Sequence, residues 1–530
     1  MACGIQLSYD DMNGQTVRAS RATLLACLRS LGVDIQRTAD APSALEKLLQ
    51  KNNQRIVEPV ILAWSGRLPG ITLRLPVPLP GSIHASLVLE TGKTRRYSWN
   101  ELGNYLVDKH PGGDVGFGEL RLPLAGRMPM GYHKLILILG KTRVSTLIIA
   151  APKRVPSEFG KRWGLFSPVY ALQSGSSGGT GGTFTDFSKL AKWTASAGGT
   201  VVATLPLLPA FYREHFNPSP YSPVSRLFWN EFFIDLQSVP ELEHCLEARN
   251  LLSSLEYQAE QSRLSAEPLV DYASQMELKR RILELLTNYF FRQPQTAMRR
   301  QVFDRYLAGR PDLEDYARFR AVSEDLKTPW PEWRQGLKQG QIRESECRLE
   351  TRNYYLYTQF IAHEQMALAA STASERGQSF YLDLPLGANS YGYDVWKNQP
   401  IFALGSSVGA PPDPAFPGGQ DWGFPPLHPE RLRESGYRYF IDVVRHHLRF
   451  SGLLRLDHIM GLHRLYWVPA GAKPNEGIYV RYQAEEMYAI LCLESHRSGA
   501  VIVGEDLGLV PEPVRWAMRR HNIDRSYVAQ

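Results

Sequence analysis

The sequence predicts a multidomain α/β protein in which a small helical segment and a β-sandwich precede a parallel sheet or (β/α) barrel. Three observations support this fold class. The chain has 530 residues, which is more than a single hydrophobic core usually serves. Strand-like runs occupy residues 59–151. After Pro152 apolar runs alternate with helical stretches, as in βα units. We therefore expect a helical segment at 1–57, a sandwich at 58–153 and a barrel-type domain at 154–530.

The first 57 residues carry two helical patterns. Residues 17–31 place several leucines on one face, and residues 43–49 repeat that spacing. Between Pro59 and Ala151 the period changes to that of strands, and clusters of proline and glycine separate the runs. This arrangement is typical of an antiparallel sandwich. Its predicted strands are Val60–Ala63, Ile71–Leu75, His84–Leu89, His133–Leu139 and Thr146–Ile149.

The barrel-type domain is predicted from short apolar runs that are separated by helices. Tyr439–Phe450 and Glu485–Glu494 have helical periodicity, and each lies between two apolar runs. Residues 241–376 are rich in leucine, glutamate, arginine and glutamine and have few turn signals, so we expect a helical insertion there. The predicted strands are Val169–Leu172, Val201–Leu205, Phe380–Leu384, Leu453–Leu456 and Val501–Val503, and a last one begins to form at Ser526–Ala529.

Composition argues against several classes of function. The net charge is +7, but basic and acidic residues are mixed throughout, and no basic stripe suggests a nucleic-acid partner. The N-terminus does not resemble a signal peptide, and no run of about 18 apolar residues predicts a membrane span. Five cysteines lie far apart without metal-type spacing. We expect a cytoplasmic protein.

Several motifs that resemble cofactor or metal sites lack necessary residues. Gly92-Lys93-Thr94 and Gly140-Lys141-Thr142 lack the upstream glycine of a phosphate loop, so hairpin turns are expected. The glycine-rich stretch 175–182 lacks the third glycine of a dinucleotide fingerprint, which favours a flexible loop. His446 and His447 are adjacent on a helix and no cysteine completes a zinc site. The sequence predicts no cofactor and no metal.

Two segments place carboxylates where parallel strands end. Leu453–His458 puts Arg455 and Asp457 on one face of a strand, and a nearby guanidinium keeps a carboxylate ionised. Glu505 ends the next predicted strand, 48 positions after Asp457. Such carboxyl groups can approach to about 5 Å, the separation that retaining glycosidases use. Taken alone, Arg-x-Asp at a strand end is more often a structural salt bridge than part of a catalytic site.

Longer motifs carry a family resemblance. The sequence resembles the 4-α-glucanotransferases (amylomaltases) of glycoside hydrolase family 77 over about residues 160–530, and the leading modules resemble the N-terminal extension of the longer bacterial members. The segments that carry the resemblance are Leu454–Leu462, Gly504–Pro511, Asn217–Asn230, Asp394–Trp396, Gly409–Asp413 and Gly419–Gly423.

The resemblance implies an enzyme that transfers a segment of an α-1,4-glucan to a new 4-hydroxyl by a retaining double displacement. Its substrates would be maltooligosaccharides and α-1,4-glucans. The implied roles are nucleophile for Asp457, general acid/base for Glu505, partner of the nucleophile for Arg455, donor-sugar contacts for Tyr221 and Asp394, and acceptor-side contacts for Gln420 and Trp422. We expect the two catalytic carboxyl groups within about 7 Å of each other, near the retaining separation.

The resemblance also implies a (β/α)8-type barrel that is incomplete at the C-terminus. The family has a third catalytic carboxylate, preceded by a histidine, on a later strand, and the sequence ends at Gln530 before reaching it. The 530-residue chain alone is therefore expected to be inactive or nearly so. Two alternatives stay open: an inactive glucan-binding or partner-binding fragment, and an α-amylase-like hydrolase that product analysis with maltotriose would distinguish. The sequence does not predict an oligomeric state.

Overall fold

The computed structural model describes most of the chain and divides it into two compact units. One unit comprises Met1–Ser157, Pro400–Val444 and His458–Gln530, and the other comprises Glu158–Gln399 and Arg445–Asp457. The described residues are 3–11, 14–68, 70–110, 116–124, 126–157, 160–172, 181–213, 215 and 217–528.

The N-terminal β-sandwich consists of two sheets. Their strands match the predicted runs, with three additional strands that the sequence pattern did not indicate: Thr94–Asn100, Leu106–His110 and Phe117–Leu122. The five-stranded sheet has the spatial order Val60–Trp64, Thr142–Ala151, Gly131–Leu139, Ser82–Val88 and Thr94–Asn100. The three-stranded sheet has the order Ile71–Pro76, Phe117–Leu122 and Leu106–His110.

Alternating side chains from both sheets form one apolar core. Leu73 and Leu120 of the smaller sheet are fully buried with Leu87 and Leu135 of the larger sheet, as the period-two pattern requires. Both glycine–lysine–threonine motifs connect antiparallel neighbours, so the predicted hairpin turns are confirmed. One pairing is not antiparallel, because Val60–Trp64 lies parallel to Thr142–Ala151.

The helical N-terminal segment contains two helices and a short hairpin. The helices are Arg21–Ser30 and Ala41–Asn53. The first helix starts later than the leucine pattern predicts, because Ser20 caps it by accepting from the Thr23 N–H at 3.0 Å. The residues just before it, Thr16–Arg18, form a strand that pairs with Ser8–Asp10.

The remainder of this unit combines a four-stranded antiparallel sheet with helices and two parallel strands. The sheet order is Gln420–Asp421, Ser406–Ala410, Arg464–Pro469 and Ile478–Arg481. The parallel strands are Val501–Gly504 and Asp524–Arg525. The strand predicted at Ser526–Ala529 therefore begins two residues earlier, at Asp524, and ends at Arg525. Ala529 lies outside the described residues. The helices are Pro429–Glu434, Arg438–Leu448, which passes into the other unit, Ala484–Ser498 and Glu512–His521.

The second unit contains four parallel strands. Their order is Gly164–Phe166, Val201–Ala203, Ser379–Leu384 and Leu453–Leu456. The helix Phe184–Ser196 crosses between the first two and begins with a capping box between Thr183 and Asp186. Residues 175–180 of the predicted flexible loop 175–182 lie outside the described residues.

The predicted strand Val169–Leu172 was wrong. Val169–Ala171 forms a 3₁₀ turn, and the strand lies upstream at Gly164–Phe166. Pro168 has no N–H to donate to a neighbouring strand, and the Val169 N–H donates to the Thr204 hydroxyl at 3.2 Å. At Gly164 an added Cβ would lie 2.0 Å from the Val201 carbonyl oxygen, so the close strand approach requires glycine.

Between residues 241 and 376, all of which the structure describes, every regular element is helical. Glu241 is a buried anchor of this region, because its carboxylate accepts from Arg299 at 2.7 Å and from the Tyr357 hydroxyl at 2.8 Å. The helices are Leu246–Leu252, Leu255–Ser265, Tyr272–Arg292, Met298–Ala308, Pro311–Leu326, Gln335–Lys338 and Leu349–Ser374. The domain limits at residues 57, 153 and 530 and the insertion limits stay predictions.

No helix within the described ranges is long and apolar enough to cross a membrane. The five cysteines are all free thiols.

Candidate active site

Asp457 lies directly after a short parallel strand, where the sequence pattern predicts it. Its N–H donates to the Leu384 carbonyl at 3.1 Å, which extends the ladder between Leu453–Leu456 and the neighbouring strand. Arg455 is two positions earlier on the same face, and its Nη2 lies 3.1 Å from Asp457 Oδ1. A guanidinium at this distance favours the ionised carboxylate, which is the form that a nucleophile requires.

Asp383 joins this pair, although the sequence analysis did not select it. It lies opposite Arg455 in the strand register, and both its oxygens accept from Arg455 Nη1, at 2.6 and 2.8 Å. The Tyr221 hydroxyl donates to Asp383 Oδ2 at 2.5 Å. Tyr221, Asp383, Arg455 and Asp457 therefore form one continuous polar row. An aspartate between two leucines at a strand end, Leu-Asp-Leu, was the signal that could have identified it.

Burial and charge oppose each other in this polar row. Burial raises the pKa of Asp383, even though Arg455 and Tyr221 both favour its ionised form. Burial lowers the pKa of Arg455, but Asp383 and Asp457 outweigh it and hold the pKa above the usual range for arginine. Burial and the Asp383 carboxylate both raise the pKa of Tyr221. The guanidinium therefore stays charged, and the tyrosine keeps the proton that it donates.

Asp394 takes a structural position instead of joining the polar row. Its side chain has no exposed surface. Its carboxylate accepts from the Ser225 hydroxyl at 2.5 Å and from the Arg226 N–H at 2.8 Å. A protein donor faces each oxygen, and the predicted contact of Asp394 with a sugar stays a prediction. Asp394 anchors the segment that carries Tyr221 to the helix Tyr393–Lys397.

Glu505 follows the strand Val501–Gly504 and has its carboxylate oriented by two backbone groups. Oε2 accepts from the His458 N–H at 3.0 Å, and Oε1 accepts from the Leu507 N–H at 2.7 Å. The Glu505 carbonyl accepts from the Ile459 N–H at 3.0 Å. Three backbone hydrogen bonds thus fix both ends of this residue, and the first of them comes from the residue that follows Asp457 in the chain.

His458 connects Glu505 to the predicted acceptor-side residues. It adopts φ 51°, a left-handed conformation that directs its N–H to Glu505. The Trp422 and His458 rings lie nearly perpendicular to each other with 5.3 Å between their centroids, and Trp422 Nε1 donates to Gln420 Oε1 at 3.2 Å. Burial, with a smaller contribution from Arg464, lowers the pKa of His458 to about 4, so its ring is neutral. The sequence analysis assigned no role to His458.

The structure therefore groups six of the seven predicted residues into two polar sets. Tyr221, Arg455 and Asp457 share the row through Asp383, and Gln420, Trp422 and Glu505 are joined through His458. The separation between the Asp457 and Glu505 carboxyl groups stays a prediction. Among the described residues, no cluster of three histidine, cysteine, aspartate or glutamate side chains has the geometry to hold a metal ion.

Comparison with known proteins identifies the family. A family model described as 4-alpha-glucanotransferase matches residues 167–530, and a model described as the MalQ N-terminal beta sandwich domain matches residues 56–152. The chain is 34% identical over 532 residues to a 4-alpha-glucanotransferase of Mycobacterium tuberculosis, covering 97% of this chain and 72% of the relative. It is 31% identical to the 4-alpha-glucanotransferase of Haemophilus influenzae, covering 76% of this chain and 60% of that protein.

Solved structures agree with the sequence relatives. The amylomaltase from Corynebacterium glutamicum matches with a TM-score of 0.85 and 27% identity, over 99% of this chain and 73% of that chain. An amylomaltase from Streptococcus agalactiae in complex with acarbose matches with a TM-score of 0.60 and 21% identity, over 69% and 73% of the two chains, which shows the fold alone. The fold is thus amylomaltase-like with an N-terminal β-sandwich, and the chain belongs to the 4-alpha-glucanotransferase family.

Proposed function

We propose that this chain transfers a segment of an α-1,4-glucan to the 4-hydroxyl of glucose or of a maltooligosaccharide by a retaining double displacement. Its membership of the 4-alpha-glucanotransferase family supports this activity. The observation that carries the mechanism is the ion pair of 3.1 Å between Arg455 and Asp457, with Asp383 on the other side of the guanidinium. Two carboxylates around one arginine keep it in place, so that Asp457 stays ionised beside it.

In the first step the Asp457 carboxylate attacks the anomeric carbon, and the bond from that carbon to the leaving 4-oxygen breaks. Glu505 gives its proton to that oxygen, so the shortened glucan leaves as an alcohol. In the second step Glu505 takes the proton of an incoming 4-hydroxyl, whose oxygen displaces Asp457 and restores the α-linkage. The N–H groups of His458 and Leu507 orient Glu505 for both proton transfers.

Sugar positioning is assigned to residues on the two sides of the reacting bond. On the donor side we assign Tyr221, held by Asp383, and Asp394 as the residues that hold the sugar, and Asp394 also anchors the segment that carries Tyr221. On the acceptor side we assign Gln420 and Trp422, because an indole face suits a pyranose ring and an amide bonds to hydroxyls. The contact of Trp422 with neutral His458 supports its assignment to the same site as Glu505.

Two broader points belong to the same proposal. The parallel strands with intervening helices support a (β/α)8-type barrel as the frame of the site. Five free cysteines support a cytoplasmic location, where thiols stay reduced. The double displacement uses side chains alone and requires no cofactor.

The two carboxylates can be tested separately by chemical rescue. Against the expectation from the sequence that the 530-residue chain is inactive, this proposal requires that its wild type disproportionates maltotriose. Asp457→Ala and Glu505→Ala should each lower that rate by at least about 10²-fold. Azide should then give a β-glycosyl azide with Asp457→Ala, because it attacks the α-linked substrate from the vacated side. It should give an α-glycosyl azide with Glu505→Ala, because it displaces Asp457 from the glycosyl-enzyme.

Asp304→Ala, on the exposed surface of a helix, is the matched control and should keep wild-type activity. Products longer than maltotriose together with glucose identify transfer, whereas products no longer than maltose identify hydrolysis. The same azide anomer from both variants, or wild-type rates in either, would contradict the assigned roles.

A further inference from the structure

Asp506 is a buried carboxylate that follows Glu505 directly in the chain and that the double displacement does not use. Its side chain is 1% exposed. One oxygen, Oδ2, accepts from Arg515 Nε at 3.1 Å and from Arg525 Nε at 2.6 Å. Arg515 lies on the helix Glu512–His521, and Arg525 lies on the short strand that follows it. A single oxygen therefore connects the turn after Glu505 to two separate elements.

The turn places Asp506 between Glu505 and one of the two groups that orient it. The Leu507 N–H, which donates to Glu505 Oε1 at 2.7 Å, belongs to the peptide unit that joins Asp506 to Leu507. Because a peptide unit is planar, the direction of this N–H depends on the backbone dihedral angles at Asp506. Upstream of Glu505, Gly504 pairs with Arg525 in the strand register. Fixing the Asp506 side chain to Arg525 therefore ties both sides of Glu505 to the same strand.

Apolar packing contributes little to this turn. Leu507 and Leu509 are 48% and 40% exposed, and Gly508 between them adopts φ 75°. The Val510 N–H donates to the Gly508 carbonyl at 3.0 Å, which is a bond within the turn itself. The carboxylate of Asp506 is thus a link between this exposed turn and the buried part of the unit.

The charge of Asp506 strengthens this link. Its other oxygen, Oδ1, is buried and has no hydrogen-bond partner among the residues that the structure describes. Burying a carboxylate with one unbonded oxygen is unfavourable, because water no longer reaches that oxygen. Two guanidinium groups on Oδ2 offset this, since hydrogen bonds between charged groups are stronger than neutral ones. The bond to Asp506 also raises the pKa of Arg525, which keeps that guanidinium charged.

We propose that Asp506 is a positioning residue for the general acid/base. Its two arginine contacts hold the Leu507 N–H against Glu505 Oε1, so that the Glu505 carboxyl group faces the 4-oxygen in both proton transfers. Attack by Asp457 on the anomeric carbon does not use this contact. The inference rests on the proposed double displacement, and it predicts that loss of Asp506 slows the steps that move a proton and spares those that do not.

Two donor substrates separate these steps. Maltotriose requires Glu505 to protonate the leaving oxygen and to deprotonate the acceptor. α-Maltosyl fluoride with azide requires neither. Its C–F bond breaks as Asp457 bonds to the anomeric carbon and fluoride leaves as an anion, and azide then displaces Asp457 to give α-maltosyl azide. Asp506→Asn should lower kcat for transfer from maltotriose by about 10- to 100-fold and keep the rate of azide formation within about 3-fold of wild type.

A second variant and a matched control accompany this change. Arg525→Ala removes a side chain that is 33% exposed, and its selective loss should be smaller, about 3- to 10-fold, because Arg515 keeps its bond to Asp506. Asp524→Asn removes an acidic charge from an exposed neighbouring position and should keep the wild-type ratio of the two rates. The fraction of folded protein multiplies both rates alike, so this ratio within one variant does not depend on stability.

Each outcome decides the inference. Equal losses with both donors in Asp506→Asn would make Asp506 a purely structural residue and overturn it, as would an unchanged rate with maltotriose. Glu505→Ala is the reference and should lose maltotriose transfer while keeping azide formation. A wild type that does not transfer from maltotriose, or a Glu505→Ala variant that loses both reactions equally, would overturn the proposed function and this inference with it.

Discussion

Replacing Asp383 with asparagine tests whether charge holds the polar row together. The change keeps the side-chain shape but removes the negative charge of the carboxylate. The two carboxylate oxygens accept from Arg455 Nη1 at 2.6 and 2.8 Å, and Oδ2 also accepts from the Tyr221 hydroxyl at 2.5 Å. Removing one partner of a buried ion pair typically costs about 3–5 kcal/mol. Arg455 retains Asp457 at 3.1 Å and is 22% exposed, so we expect a smaller loss of unfolding free energy, about 2–3 kcal/mol.

Urea unfolding followed by tryptophan fluorescence measures this loss, and disproportionation of maltotriose measures its effect on function. The rate should fall by about 10-fold or more, because Arg455 loses the contact that fixes it beside Asp457. Asp304→Asn is the matched control, since Asp304 is exposed on a helix, and it should stay within about 0.5 kcal/mol of wild type. If Asp383→Asn were equally close to wild type, the row would not be an electrostatic anchor and the reasoning would be refuted.

Three further predictions follow from particular contacts. Gly504→Ala should lower the free energy of unfolding by about 1–3 kcal/mol, because the new Cβ would lie 2.5 Å from Ile459 Cδ1; an unchanged Tm would contradict this crowding. Ser225→Ala should cost about 1.5–3 kcal/mol in urea unfolding by removing the donor to buried Asp394, and a neutral effect would show that the hydrogen bond is dispensable. Burial, with neighbouring arginines, lowers the pKa of His363 to about 4. Protonation of His363 therefore does not change the free energy of unfolding above about pH 6.5. Between about pH 6.5 and 4 the unfolded chain binds this proton and the folded chain does not, so the free energy of unfolding falls by up to about 1.4 kcal/mol per pH unit towards pH 4. His363→Gln should flatten that slope in unfolding curves measured across this pH range, and an unaltered slope would assign the acid sensitivity to other groups.

The site was predictable where a polar residue interrupts an apolar strand close to its end. Arg455 lies between two leucines and Asp457 follows Leu456, and strand alternation alone places the two polar side chains on one face. Asp383 has the same signature but was passed over, because its importance depends on the strand register opposite Arg455. His458 was missed for a different reason. Its contribution is a backbone N–H and a left-handed φ, which the residue type does not reveal.

The fold was predictable where strands or helices have one apolar face. The strand Thr94–Asn100 was missed because it lies at a sheet edge and Trp99 is its only buried residue, so no alternation appears in the sequence. Val169–Leu172 was mistaken for a strand because an apolar run alone does not show where the hydrogen bonds go. Pro168 has no N–H for a strand neighbour, and the Val169 N–H donates to the Thr204 hydroxyl. The second of these is a tertiary contact that the sequence pattern does not show.

The parallel pairing of Val60–Trp64 with Thr142–Ala151 has a consequence for biosynthesis. The register joins Val60 to Leu147, and Val60–Trp64 is an edge strand whose sheet partner, among the described residues, is the last strand of the sandwich. On the ribosome, the hairpin Ser82–Asn100 can close as it emerges, whereas the first strand remains unpaired until the hairpin Gly131–Ala151 has also been made. A nascent chain arrested shortly before residue 142 should therefore expose Val60–Trp64 to proteases and chaperones, and one arrested well beyond residue 151 should protect it.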